Sequence, residues 1–144
     1  MPRSSAPPDQ PQLFVDRSLG RHLLPDALRE HGFVVHTLAS VFGEERGQHV
    51  VDEDWIAHAG AKGWVVLTKD DAIRRRPLEL AAIERFRVQV FCLTNAGLRG
   101  DQQRDRFLAN IYRITQRARK PGPWICGVYE DRIAQIWPAR PPGQ

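Results

Sequence analysis

The sequence predicts an α/β protein, a three-layer α/β/α sandwich around a mainly parallel sheet that is closed by a C-terminal hairpin. Three observations carry this. Short apolar runs alternate with segments of helical period in the order β-α-β-α-β-α-β-α-β-β, joined by short connections. The runs have no polar alternation, as in Trp64-Val65-Val66-Leu67, which asks for layers above and below the sheet. Carboxylates close two of them, Asp16 after the first and Asp70-Asp71 after the third, where parallel strands hand over to loops and where open α/β sheets place their ligands.

Taken in order, residues 1–12 hold Pro2, Pro7, Pro8 and Pro11 among small polar residues and read as a disordered tail. Residues 138–144, with Pro138, Pro141 and Pro142, read the same way, leaving residues 13–137 as the domain. Residues 13–16 form the first strand, followed by a turn at Ser18-Leu19-Gly20. Residues 21–31 space Leu23, Leu24, Ala27 and Leu28 as a helix does, tolerate Pro25 in the first turn and stop at Gly32. Residues 33–38 are the second strand, and the strand-helix-strand order implies a right-handed parallel crossover. His36 reads there as a strand residue rather than a ligand. Residues 39–47, with acids and glycines, read as a loop.

Residues 52–62 are a helix opened by Asp52-Glu53-Asp54, with Trp55, Ile56 and Ala59 inward. The third strand runs from Trp64 into Thr68. A helix then begins near Pro77, with Glu79 in its first turn and Leu80, Ala81 and Ile83 toward the sheet. Residues 88–93 are the fourth strand, ending at Thr94-Asn95. The longest helix is predicted over 101–120, with Phe107, Leu108, Ile111, Tyr112 and Ile114 on one side and Arg104, Arg106, Arg113, Arg117 and Arg119 largely on the other. Residues 124–129 and 132–137 flank Glu130-Asp131 as a hairpin.

At 144 residues and 42% apolar composition, one core needs no disulfide or metal staple. Cys92 and Cys126 lie in apolar runs without CxxC or Cys/His spacing and read as buried thiols. No stretch reaches the about 20 apolar residues of a membrane span, and residues 1–12 lack the apolar core of a signal peptide, so a soluble cytoplasmic protein is expected. Lys and Arg number 21 against 17 Asp and Glu, giving a formal charge of +4. Arg dominates the cations. It pairs bidentately with phosphates and stacks on bases, which favours a polyanionic partner, although an Arg-rich composition can also simply solvate a surface.

Strand ends of a parallel sheet point the same way, so Asp16 and Asp70 belong to one edge; the place of Asp52 relative to it is not fixed by periodicity. Carboxylates brought together repel and rise in pKa unless a cation sits between them. Mg²⁺ or Mn²⁺ accepts a few carboxylates plus waters and leaves coordination sites open for a phosphate. Phe14-Val15-Asp16-Arg17-Ser18-Leu19-Gly20, then Asp52-Glu53-Asp54-Trp55-Ile56, then Gly63 through Asp70 and Ile73-Arg74-Arg75-Arg76-Pro77 resemble the PIN-like domains of VapC-type ribonuclease toxins. The resemblance spans most of residues 13–137. It implies a metal-dependent endoribonuclease of a type II toxin–antitoxin pair, with RNA as substrate, a cognate antitoxin protein as partner and a homodimer as one arrangement. Asp16, Asp52 and Asp70 would be its catalytic acids, holding Mg²⁺ or Mn²⁺ with Asp71 as a helper. Arg17, Arg74, Arg75 and Arg76 would bind the RNA backbone. The chain departs from the pattern in having Thr94-Asn95 where a further acid often follows the fourth strand. Asp52 stands in place of the frequent Glu, with Asp54 as a competitor for that role.

Two other readings use the same residues. A phosphoacceptor receiver-like signalling domain also places acids after strands one and three and a hydroxyl after strand four, which Asp16, Asp70 and Thr94 supply. Its Lys beyond strand five is missing, because Lys120 precedes that strand and Glu130-Asp131 follows it. A catalytically silent nucleic-acid-binding module would keep the basic charge without the chemistry.

Overall fold

A computed structural model describes residues 10–95 and 97–139. Most of both proline-rich ends lies outside these residues. Of the N-terminal stretch, Gln12 is described, and its carbonyl accepts the Val65 N–H at 2.8 Å.

Six strands form one sheet in the order β2-β1-β3-β4-β5-β6: β1 (Leu13–Val15), β2 (Val35–Thr37), β3 (Val65–Thr68), β4 (Gln89–Leu93), β5 (Trp124–Val128) and β6 (Ile133–Trp137). The first five are parallel and β6 returns antiparallel to β5, the predicted hairpin. Successive strand residues point to opposite faces, and the core divides accordingly. Leu13, Val15, Val65, Leu67, Phe91, Leu93 and Cys126 meet α1 (Leu23–Glu30), α6 (Gly100–Ala109) and α7 (Ile111–Arg117) through Leu24, Leu28, Phe107 and Ile114. Phe14, Val66, Val90, Cys92 and Ile125 meet α4 (Asp52–Lys62) and α5 (Pro77–Phe86) through Trp55, Ile56, Ala59 and Ile83. Phe14 stacks on Trp55 at 5.2 Å and is fully buried, which is worth about 1.5–3 kcal/mol by area alone.

Two glycines set the α4–α5 layer. Gly63 ends α4 in the left-handed region at φ 74°, turning the chain directly into β3. A Cβ at Gly60 would stand 2.6 Å from Phe86 Cβ, so only glycine lets α4 lie this close to α5. Their close packing brings the N-terminal residues Asp52 and Glu79 into contact.

Four expectations are corrected. Residues 39–47 are not a loop but α2 (Leu38–Phe42) and α3 (Glu44–Gly47), because Thr37 and Ser40 form a reciprocal capping box that starts α2. The helix expected over 101–120 is two, broken at Asn110. That buried side chain donates to Arg106 O at 3.0 Å and to Tyr129 O at 2.8 Å, tying the break to the end of β5. Tyr112 is 73% exposed rather than on the apolar side. In α5 it is Ala82, not the exposed Ala81, that packs inward beside Ile83. His36 stacks on Trp64 and hydrogen-bonds Gln12.

Candidate active site

Asp16 follows β1 and caps a short 3-10 turn, Arg17–Leu19. Val15 pairs with Leu67, which brings Asp16 beside Thr68 at the carboxyl end of β3. Its Oδ1 accepts both the N–H (2.9 Å) and the hydroxyl of Ser18, and its Oδ2 accepts the Thr68 hydroxyl at 2.6 Å. The two hydroxyl oxygens accept in turn, Ser18 Oγ from Lys69 N–H and Thr68 Oγ1 from Asp70 N–H, both at 3.1 Å. One network therefore stitches the ends of β1 and β3 and fixes the Asp16 carboxylate. Burial pushes the Asp16 pKa up; the Ser18 and Thr68 hydrogen bonds oppose this, and the charge of Asp52 adds to it.

Asp52 is the first residue of α4, where the helix dipole favours a carboxylate, and its Oδ1 accepts the Trp55 indole N–H at 2.9 Å. Its Oδ2 stands 3.9 Å from the Arg76 guanidinium that also pairs with Asp70, which puts it beside the end of β3. Arg17 helps hold it there: the guanidinium donates to Gln48 O (3.3 Å) and Val50 O (2.5 Å), bracing the connection into α4.

Asp70 caps the 3-10 turn Asp71–Arg75, accepting Ala72 N–H at 3.2 Å. Arg76 clasps it with two bonds, Nη1 to Oδ2 at 2.6 Å and Nη2 to Oδ1 at 3.4 Å. The same Nη1 stands 3.9 Å from Asp52 Oδ2 and 3.6 Å from Glu79 Oε1. Glu79 is 8% exposed, and its pKa is raised by burial first and then by its hydrogen bond to Asp52, with Arg76 opposing. The structure thus gathers Asp52, Asp70 and Glu79 around one guanidinium, with Asp16 next to them.

The remaining expected residues sit further out. Asp71 is half-exposed and faces Arg74 at 3.9 Å, while Arg75 is exposed. Asp54 lines a separate hollow with Phe42 and Arg46. Asn95 caps its own loop by accepting Gly97 N–H, and Thr94 donates to Val128 O. A cavity of about 200 Å³ opens beside Asp16 between Val15, Leu38, Ala39 and Gly47, with Arg17 and Arg21 also lining it. Sequence reasoning missed Ser18, Thr68 and Glu79. The Asp-x-Ser spacing of an Asx turn pointed to the first; Glu79 passed as an ordinary first-turn helix acid.

Among the described residues no group of three or more His, Cys, Asp or Glu side chains is assembled as a metal cage. The donor chemistry nonetheless fits a hard divalent cation: Asp16, Asp52 and Asp70 offer only carboxylate oxygens, and a cation, Arg76, already stands beside two of them.

A mainly parallel α/β/α sheet that delivers acids from the ends of β1 and β3 to one edge defines a class of domain suited to phosphate chemistry. The PIN-like domain family matches residues 11–95. A protein of Mycobacterium tuberculosis named "Putative ribonuclease VapC45" is 35% identical over 128 residues, which covers 89% of this chain and 93% of the relative. No solved structure gives a significant match. The chain belongs to the PIN-like domain family, in its VapC-type branch.

Proposed function

We propose that this chain is a divalent-metal-dependent endoribonuclease and the toxin of a type II toxin–antitoxin pair. The reading is supported by a VapC-type chain in which Asp52 and Asp70 flank one guanidinium while Thr68 ties Asp16 to the Asp70 backbone. These three would hold Mg²⁺ or Mn²⁺, with Asp71 beside them. When bound, such an ion polarises the scissile phosphate and lowers the pKa of a coordinated water.

The chain's own groups do the positioning. Ser18 and Thr68 keep both Asp16 oxygens aimed by donating to them, and Trp55 does the same for Asp52. Glu79 stands beside Arg76 at 3.6 Å, with burial holding its carboxyl above the ordinary range. Arg74 and Arg75 end the 3-10 turn that Asp70 caps and would supply cations for the RNA backbone. A cognate antitoxin would silence the enzyme by covering this acidic edge. No helix among the described residues is long and apolar enough to cross a membrane, which suits a cytoplasmic enzyme acting on RNA. Purified protein is expected to cut RNA internally in Mn²⁺ or Mg²⁺ and to stop in EDTA. Full cleavage in EDTA would refute the metal-dependent reading.

A further inference from the structure

Arg76 has more carboxylate partners than any other cation of the site. It touches Asp70 twice, at 2.6 and 3.4 Å, and stands 3.6 Å from Glu79 and 3.9 Å from Asp52. Its side chain is 43% exposed, so water reaches it, and its backbone is held extended before Pro77 at φ −97°, ψ 116°. A guanidinium so placed can leave Asp70 by a rotamer change alone. Glu79, three residues on in the first turn of α5 and 10% exposed in its side chain, offers it a second partner that does not lie at a strand end.

We propose that Arg76 is the resident cation of the acidic edge: it neutralises Asp70 and Asp52 until a divalent cation takes their oxygens, and it is then retained by Glu79, free to pair with an RNA phosphate. This rests on the metal-binding reading of the edge. It makes metal and guanidinium competitors for the same oxygens, so the cost of displacing Arg76 is subtracted from the affinity for metal. It also makes Arg76 a positioning residue that moves from carboxylate to substrate as the site loads. Glu79 acts through Arg76 rather than on the metal.

The test is calorimetric titration of Mn²⁺ into the full chain stripped with chelator, with the fold checked by circular dichroism. Arg76→Gln is expected to bind Mn²⁺ severalfold more tightly than the parent. Arg75→Gln removes the same charge one residue away, where nothing clasps Asp70, and is expected to change the affinity little. Glu79→Gln should weaken Mn²⁺ binding in the parent, by leaving Arg76 on Asp70, and should have no effect in the Arg76→Gln background. Unchanged or weaker binding by Arg76→Gln, or equal tightening by Arg75→Gln, overturns the proposal. A Glu79→Gln effect that persists in the Arg76→Gln background makes Glu79 a direct ligand and overturns its part. Should Arg76→Gln fold only when Mn²⁺ is present, the metal is replacing the guanidinium, as proposed. Should it not fold at all, Arg76→Lys carries the test: an ammonium cannot span both Asp70 oxygens, so tighter binding than the parent is expected and equal binding refutes the exchange. Because the readout is binding, absent RNA cleavage would refute the ribonuclease reading without touching this one.

Discussion

Thr68 shows how much of the site is carried by a residue that touches no substrate. It is fully buried, donates its hydroxyl proton to Asp16 and accepts the Asp70 N–H, so both strand-end acids depend on it. Thr68→Val keeps the shape and removes both bonds. The buried Asp16 oxygen and Asp70 N–H then lose partners, which should cost about 1–3 kcal/mol of stability in urea unfolding and about 10–100-fold in Mn²⁺ affinity. Parental values for both would show that Asp16 is aimed by something else. Asp16 also links charge to stability. Its pKa is raised above the ordinary 3.8, so the native state holds its proton at pH values where the unfolded chain has released it, and stability falls as pH rises between the two values. In EDTA, Asp16→Asn should therefore gain stability relative to the parent as pH rises above about 3.8 and level off once native Asp16 is ionised. A difference that shrinks with rising pH would mean that Asp16 is stabilised as the anion. Asp70 caps a turn and is clasped by Arg76, so Asp70→Ala should cost about 1 kcal/mol in urea unfolding; an unchanged or firmer fold would mean that relieved repulsion outweighs the cap.

At the scale of elements, what the sequence showed and what it hid divide along the range of the forces involved. β3 was legible because an unbroken apolar run flanked by Gly63 and Thr68 has few alternatives, and α4 because acids open it and Gly63 closes it. The ends of β1 and β3, and hence Asp16 and Asp70, follow from those local signals. The helix break at Asn110 was hidden because its partner, Tyr129 O, comes from a strand end that no helical period reveals. Asn110→Ala should leave that carbonyl without its donor and cost about 1–3 kcal/mol in urea unfolding; no loss would mean that the break is set by the backbone alone. The α2 start was missed although Thr37 and Ser40 stand at capping-box spacing, because Ser in the second position is a weaker mark than Glu or Gln. The position of Asp52 and the meeting of Glu79 with Arg76 depend on how α4 packs on α5 through Gly60, a tertiary fact that periodicity does not contain.

The whole molecule presents an acidic edge on a basic protein. The formal charge of +4 would favour a polyanion such as RNA, while the acids of the edge would repel phosphate unless offset, as Arg76 offsets Asp70 and as a metal would under the proposed reading. The exposed Arg75 and half-exposed Arg74 lie next to that edge. The central claim is that Asp16, Asp52 and Asp70 form a metal-loaded nuclease site, and RNA cleavage in Mn²⁺ by the parent and by folded Asp16→Asn tests it most directly. The account predicts internal cutting by the parent and, in the variant, a loss exceeding the about 10–100-fold typical of losing one outer hydrogen bond. Cleavage by Asp16→Asn at the parental rate would contradict it.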